Sequence, residues 1–330
     1  MTWEMLGHDW AVDLLREHIV RESTRHAYLL TGPYGVGRRT LALRFAQALN
    51  CPQAPSPGEA CRICRTCKQV ENMQYADLSV VQADQVGGTL KVDQVRELQR
   101  TLALAPYEAR YRVAVLLRFE ESNPNAANAL LKTLEEPPSQ VVLVLTAESS
   151  ERLLPTIVSR CEVLRLRPLP LQVVEAGLQT IWGLPAEKAR LLAHLSGGRP
   201  GYALRQHIDP DALAHRQACL DEHHRLLSSS RVARFAYAEQ LSKDRDTLRD
   251  TLQIWLSYWR DVLLRTSGAS APLTNLDREE EIETLANHIS MEAARFTVAS
   301  LEKTYDLLES NVNVRLAADV LLLDLPKIPG

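Results

Sequence analysis

Two groups of residues carry types and spacings suited to chemistry. The first is Gly32-Pro33-Tyr34-Gly35-Val36-Gly37-Arg38-Arg39-Thr40, which follows an apolar run from Ala27 to Leu30. A glycine turn between a buried strand and a helix offers backbone N–H groups and a helix N-terminus to phosphates. The working pattern G-x-x-x-x-G-K-[S/T] also needs a lysine for the β/γ-phosphates and a hydroxyl for Mg²⁺. Arg38 and Arg39 stand in those two places. Arg38 keeps a positive charge, but its planar fork is longer and fills space differently from an ammonium. Arg39 has no oxygen to ligate a metal, and it is expected to put a second cation where the metal belongs. Thr40 has a hydroxyl, but one step further along a helix turns it by about 100°. The glycine frame at Gly32, Gly35 and Gly37 is therefore expected to remain without hydrolysis, and with weak or absent ATP binding.

The second group is Cys51-x9-Cys61-x2-Cys64-x2-Cys67. A compact cysteine set in a cytosolic chain argues for metal over disulfides. Four thiolates close a tetrahedral Zn²⁺ shell at about 2.3 Å and leave no open position for catalysis. Cys51, Cys61, Cys64 and Cys67 are thus expected to hold a structural zinc. Pro52, Pro55, Pro57 and Gly58 make the intervening segment a loop, which lets Cys51 come round to the triplet. Cys161 and Cys219 are left over and read as small buried apolar residues.

The elements that must position these groups alternate. Strands are predicted over Ala27 to Leu30, Asp77 to Ala83, Arg112 to Leu117, Val141 to Thr146 and Glu162 to Leu166. Helices are predicted over Trp3 to Arg21, Arg39 to Leu49, Val92 to Leu104 and Asn123 to Glu135. Alternation of this kind means an α/β layered sheet. The third strand is short, wholly apolar and bounded by charge, as central parallel strands are. In P-loop ATPases an acid at the end of such a strand holds Mg²⁺. Here the strand runs out through Leu116-Leu117-Arg118-Phe119, and the first carboxylates are Glu120 and Glu121. Two metal-holding features are missing together.

The chain of 330 residues is long enough for several domains. Its 45% hydrophobic and 24% charged residues fit a soluble globular protein. No run reaches the roughly 18 apolar residues of a membrane span, and the N-terminus lacks a signal-peptide layout. A cytoplasmic location without membrane partners is the expectation. A net charge of −3 gives no global basic field, so any DNA contact must be local or shared with other subunits. Arg96, Arg100, Arg110 and Arg112 are candidates for phosphate contact.

Several motifs then follow in order: His26-Ala27-Tyr28-Leu29-Leu30-Thr31-Gly32-Pro33, the four cysteines, Asn123 through Ala129-Leu130-Leu131-Lys132-Thr133-Leu134-Glu135-Glu136-Pro137-Pro138, and Leu154-Pro155-Thr156-Ile157-Val158-Ser159-Arg160-Cys161. As a set they resemble the clamp loader of bacterial DNA polymerase III, an AAA+ family, over roughly the first two hundred residues. The degenerate loop beside an intact Ser-Arg-Cys is similar to the delta-prime branch more than to the hydrolysing gamma/tau subunits. The last third matches weakly, through its helical character and Asn311-Val312-Asn313-Val314-Arg315-Leu316.

The resemblance implies an AAA+ sheet domain with the zinc insertion (1–167), a small helical lid (168–208) and an all-α collar that holds a heteropentamer together (209–330). It implies gamma/tau and delta subunits as partners, with the sliding clamp and primed DNA as what they act on. It also implies that Arg160, with Ser159 and Cys161, serves as an arginine finger in a neighbouring subunit's ATP site. Thr146 falls where motor subunits carry a sensing residue, but it reads better as a satisfied strand-end hydroxyl. Gly197-Gly198-Arg199-Pro200-Gly201 fits equally a second sensor helix or a plain turn. Trp255, Tyr258 and Trp259 read as core. Two other readings compete: an active AAA+ ATPase with a divergent loop, and a zinc-dependent DNA-binding module acting alone. The missing acid and the negative charge argue against them.

Overall fold

The computed structural model describes residues 2–85, 87–308 and 313–328. Asn311 and Val312 of the last motif lie outside them. The chain forms two compact units. The first runs to Trp182 and takes back Gly198–Tyr202, and the second holds Gly183–Gly197 and the chain from Ala203 onward.

The first unit is built on five parallel strands: β1 (Ala27–Thr31), β2 (Leu78–Val81), β3 (Arg112–Leu116), β4 (Val141–Ala147) and β5 (Glu162–Arg165). Their order is β2-β3-β4-β1-β5, so β4 is the middle strand and β1 lies between it and the edge strand β5, with Leu29 opposite Leu145 on one side and Val163 on the other. All residues of β1, β3 and β4 are buried, because helices cover both faces of the sheet. Tyr28, Leu30, Val113 and Val115 face a core with α1 (Asp9–Val20) and α2 (Arg38–Asn50). Leu29, Ala114, Leu116 and Leu143 face the opposite core with α4 (Val92–Leu102) and α5 (Pro124–Glu135). A short helix adds to each layer, α3 (Arg65–Glu71) beside α2 and α6 (Pro155–Val158) beside α5. α7 (Leu171–Thr180) also belongs to this unit.

The N-terminal helix is shorter than expected. Trp3 and Glu4 take positive φ and close a short 3-10 turn, and Gly7 and His8, also at positive φ, let α1 start only at Asp9. His8 is buried and its Nε2 lies 3.0 Å from the Val36 carbonyl oxygen. α3 was not foreseen. It begins inside the cysteine triplet, where Cys64 caps it by accepting from the Cys67 N–H, and no apolar period marks it.

The second unit is helical: α8 (Ala186–Leu195), α10 (Pro210–Ser228), α11 (Arg231–Leu241), α12 (Arg245–Thr266), α13 (Glu279–His288), α14 (Met291–Leu307) and α15 (Val314–Asp324). α9 (Pro200–Ile208) begins in the first unit and continues in the second, so the expected lid segment 168–208 is shared between them. Trp255, Tyr258 and Trp259 are core, as expected. Trp259 donates its indole N–H to Nε2 of fully buried His223, whose burial pulls its pKa down to about 3 and keeps it a neutral acceptor. Arg234 is buried, and among the described residues no carboxylate pairs with it. Its guanidinium donates to the carbonyls of Leu226 and Leu227 at the end of α10, and of Leu322, Leu325 and Pro326 at the end of α15. Helix C-termini carry partial negative charge, so five carbonyls serve as its counter-ion.

One buried ion pair fixes the approach to β3. Asp77 accepts from the backbone N–H groups of Tyr107, Glu108 and Ala109 and from Arg112 Nη2 at 3.0 Å. Burial alone would push this carboxyl up, but the four donors hold it below its ordinary 3.8. Asp77→Ala should therefore cost about 3–5 kcal/mol at neutral pH, since it strands a buried guanidinium. A depressed acid stabilises the fold above its ordinary pKa and loses that contribution as pH falls through the folded value. The gap between wild type and Asp77→Ala in urea unfolding should accordingly be full at pH 7 and close below about pH 4.

Candidate functional site

The glycine loop sits at the carboxyl end of β1, as predicted. Gly32 takes φ +146°, and a Cβ there would stand 2.3 Å from the Leu166 carbonyl oxygen. Gly35 takes φ +82°, and a Cβ there would meet the Tyr202 backbone nitrogen at 2.7 Å. Both positions need glycine, the first for close backbone approach and the second also for its left-handed conformation. The first turn of α9 closes on the loop, with the Gly201 N–H donating to the Gly35 carbonyl at 2.8 Å. The segment Gly197–Gly201 thus does more than turn the chain. Arg199 is half-buried beside it, stacked 4.6 Å from the Tyr202 ring centre. Gly37 starts α2 with no side-chain cap, and the Met5 Cε would be 2.9 Å from a Cβ placed on it.

Arg38 points inward. Its side chain is 8% exposed, and Nη1 lies 3.9 Å from Oε1 of Glu120, itself 10% exposed. Glu120 belongs to the 3-10 turn Phe119–Glu121 that follows β3, and its Oε1 also accepts from the Glu148 N–H at 3.1 Å. Burial lowers the Arg38 pKa against the opposing pull of Glu120 and Glu148, and burial raises that of Glu120 against Arg38. In both, desolvation outweighs the attraction across 3.9 Å, as expected for a buried pair without direct hydrogen bonds. The sequence drew attention to Glu120 only as an acid too late for Mg²⁺. Its place opposite Arg38 comes from the fold, which brings the turn after β3 to the glycine loop. The remaining signal was the coincidence of an arginine in the loop and a first acid four residues past the end of β3.

Arg39 is not where the sequence placed it. It is exposed, with Nη2 3.3 Å from the Met73 sulfur, so no second cation enters the loop. The reason is helical geometry: α2 starts at Arg38, and the next residue is rotated about 100° away. Thr40 is exposed as well. At the end of β3, Leu117 is buried and the Arg118 N–H donates to Thr146 Oγ1 at 2.9 Å. Thr146 is thus the satisfied strand-end hydroxyl expected. Arg118 Nε in turn donates to Glu121 at 2.8 Å.

The four cysteines come together. Cys51 Sγ is 3.5 Å from Cys61 Sγ and 4.0 Å from Cys64 Sγ, and all four sulfurs lie within 4.8 Å of one another. A tetrahedron with 2.3 Å metal–sulfur bonds has edges of about 3.8 Å, so the set is close enough to bind a metal ion. Backbone N–H groups of Cys61, Cys64 and Cys67 point at the sulfurs of Cys51, Cys61 and Cys64 at 3.3–3.4 Å. Such donors support thiolate charge. The knuckle is tied to the unit's core: Trp3 donates to the Gly58 carbonyl at 2.8 Å and Gln47 to that of Cys67 at 2.7 Å. Cys219 is buried, as expected, whereas Cys161 is only half-buried.

Arg160 follows α6 and is held at the surface. Nη1 donates to the Thr156 carbonyl at 2.8 Å, and Nη2 pairs with Glu135 Oε1 at 2.8 Å. Ser159 is exposed beside it. Of the arginines suggested for DNA, Arg112 is excluded, because it is buried in the pair with Asp77. Arg96, Arg100 and Arg110 are exposed and paired with Asp93, Glu97 and Glu22.

A five-stranded parallel sheet with a glycine loop leading from its β1 into a helix is the architecture of AAA+ P-loop modules. A gamma subunit-related DNA polymerase III protein from Thermotoga maritima, 19% identical, shares the fold at a TM-score of 0.54 over 94% of this chain and 97% of its own. Residues 7–170 match the family model described as DNA polymerase III, delta subunit, and residues 210–327 its C-terminal counterpart. The delta-prime subunit of Pseudomonas aeruginosa is 40% identical over 57% of this chain and 57% of its own length. That of Bacillus subtilis is 29% identical over 94% of this chain and 93% of its own. The chain belongs to the family of DNA polymerase III delta-prime subunits.

The Arg38–Glu120 pair makes a specific prediction. Glu120→Gln alone should destabilise the protein, because Arg38 keeps its charge in a dry site. Adding Arg38→Met should recover most of the loss. A double-mutant cycle from chemical denaturation should give a coupling of about 1–3 kcal/mol.

Proposed function

We propose that this chain is a non-hydrolysing clamp-loader subunit that works by controlling a neighbour's ATP. It assembles with gamma/tau and delta subunits, helps place the sliding clamp on primed DNA, and meets DNA only at phosphates. The collar segment 209–330 holds the assembly, and 168–208 acts as the lid of the AAA+ module. It works in the cytoplasm; no helix among the described residues is long and apolar enough to cross a membrane.

One observation carries the reading: the loop arginine is matched by a carboxylate of the same chain, while the Ser-Arg-Cys arginine is held at the surface. Within the loop, Arg38 is buried facing Glu120 at 3.9 Å, and no hydroxyl faces inward from position 39. The positions after β3 that would hold Mg²⁺ are Leu117 and Arg118. The glycine frame thus serves packing, and hydrolysis by this chain is not expected. Arg160 has the opposite character. Its side chain is 35% exposed, and its guanidinium is fixed at two points on the edge formed by α5 and α6. A guanidinium supplied in trans stabilises the charge spread over the transferring phosphoryl group, an effect of about 10³–10⁵ in rate. At 1.36 kcal/mol per decade that is roughly 4–7 kcal/mol.

The metal of the cysteine knuckle is zinc in this reading, since four thiolates suit its tetrahedral, redox-silent chemistry. Its task is to fix the segment 51–71 against α2 and the N-terminal turn, not to take part in hydrolysis.

Two outcomes follow. Metal analysis of the purified chain should find about one zinc per molecule, lost in Cys64→Ser and kept in Cys219→Ser. Its removal by a chelator should cost about 3 kcal/mol, or roughly 6–12 °C in thermal midpoint. In the reconstituted clamp loader, Arg160→Ala should leave assembly intact on gel filtration. It should lower clamp- and DNA-dependent ATP turnover at the adjoining site by about 10²-fold or more. An unchanged rate would rule out the finger.

A further inference from the structure

Arg160 is not held by the adjoining α6 alone. The carboxylate that takes its Nη2 at 2.8 Å belongs to Glu135, the last residue of α5. This is an odd place for an acid. The C-terminal end of a helix carries partial negative charge and favours cations, as Lys132 in the same last turn illustrates. Glu135 stands against that preference, and Glu136 and Pro137 follow immediately. Nor is it part of the core: its side chain is 49% exposed, so the pair lies in water-accessible surface where an ion pair adds little to stability. What the pair does add is geometry. The Thr156 carbonyl holds one edge of the guanidinium at 2.8 Å and Glu135 holds another at 2.8 Å, one contact from each of two packed elements. Ile157, fully buried, anchors the short helix that carries Thr156. With two points fixed, the rotamers of a long side chain collapse to one direction. Five N–H bonds are available on a guanidinium, and the contacts to Thr156, Ser159 and Glu135 engage at most three.

We infer that Glu135 is a positioning residue for Arg160: it holds the guanidinium in the orientation in which an oxyanion of a nucleotide on a neighbouring subunit would meet it. This rests on the reading of Arg160 as a finger acting in trans. The partner class is a nucleoside triphosphate phosphoryl group, presented by another chain. The carboxylate carries no bond-making step. It sets where the cation stands before the phosphate arrives, and a cation already in place needs no reorganisation when charge develops.

The test uses the assembled clamp loader, reconstituted with its ATPase subunits, clamp and primed DNA, in a square of four: wild type, Arg160→Ala, Glu135→Gln and both together. Steady-state ATP turnover is measured against ATP concentration, so that kcat and KM separate. Glu135→Gln should lower kcat by about threefold to thirtyfold with KM nearly unchanged. Glu135→Asp, which keeps the charge, should restore much of the loss. In the Arg160→Ala background, Glu135→Gln should have no further effect. If Arg160→Ala slows turnover while Glu135→Gln leaves kcat at or above wild type, positioning by Glu135 is wrong and the finger stands. An equal loss in both backgrounds means that Glu135 acts elsewhere and also overturns the inference. If Arg160→Ala itself has no effect, the underlying reading of the finger has failed instead.

Discussion

The structure turns on how tightly other backbone closes around the end of β1. The Leu166 carbonyl stands where a side chain at Gly32 would begin, and the first turn of α9 stands where one at Gly35 would begin. Met5 lies over Gly37. These contacts come from the N-terminal turn, the strand-end after β5 and the start of α9, and together they seat three separate parts of the first unit on one loop. In a phosphate-binding loop this same economy of side chains leaves room for a ligand's oxygens. Here the protein's own groups also crowd the glycine positions, so the glycines are needed for packing whether or not a nucleotide ever arrives.

Charge follows the same logic. Four arginines of this chain show how burial and partner type decide role. Arg112 is buried and well matched by Asp77, with further carbonyl contacts, and fixes a loop. Arg234 is buried against five carbonyls at two helix ends and joins them. Arg38 is buried but only loosely matched, with both partners driven toward neutrality by desolvation. Arg160 is the one of the four with its head in reach of solvent. The first three are committed inside their own unit, and the fourth can meet something outside it.

Much of this was legible in the sequence. The strands fell within two residues of their predicted ends, because runs such as Val113-Ala114-Val115-Leu116 have no other reading between charged ends. The helical character of the last third was expected, and in the structure its helices start at capping side chains, Ser290 ahead of α14 and Asn313 ahead of α15. The cysteine set was found by spacing alone. What escaped depended on direction and not on identity. Arg39 looked like an intruder in the loop, yet its helical phase turns it outward to Met73. Arg112 looked like a free surface cation, yet its strand begins in the core beside Asp77, 35 residues earlier. The pairing of Arg38 with Glu120 and of Arg160 with Glu135 joins elements far apart in the chain, and no local pattern announces such contacts.

The central claim is that this polypeptide has given over its own phosphate loop to internal packing while keeping a cation for another subunit's nucleotide. The most direct measurement is ATP turnover by the purified, isolated chain at saturating Mg²⁺ and ATP, with and without clamp and primed DNA. The account predicts no hydrolysis above the uncatalysed background in either condition. Sustained turnover that disappears in Arg38→Ala would contradict it.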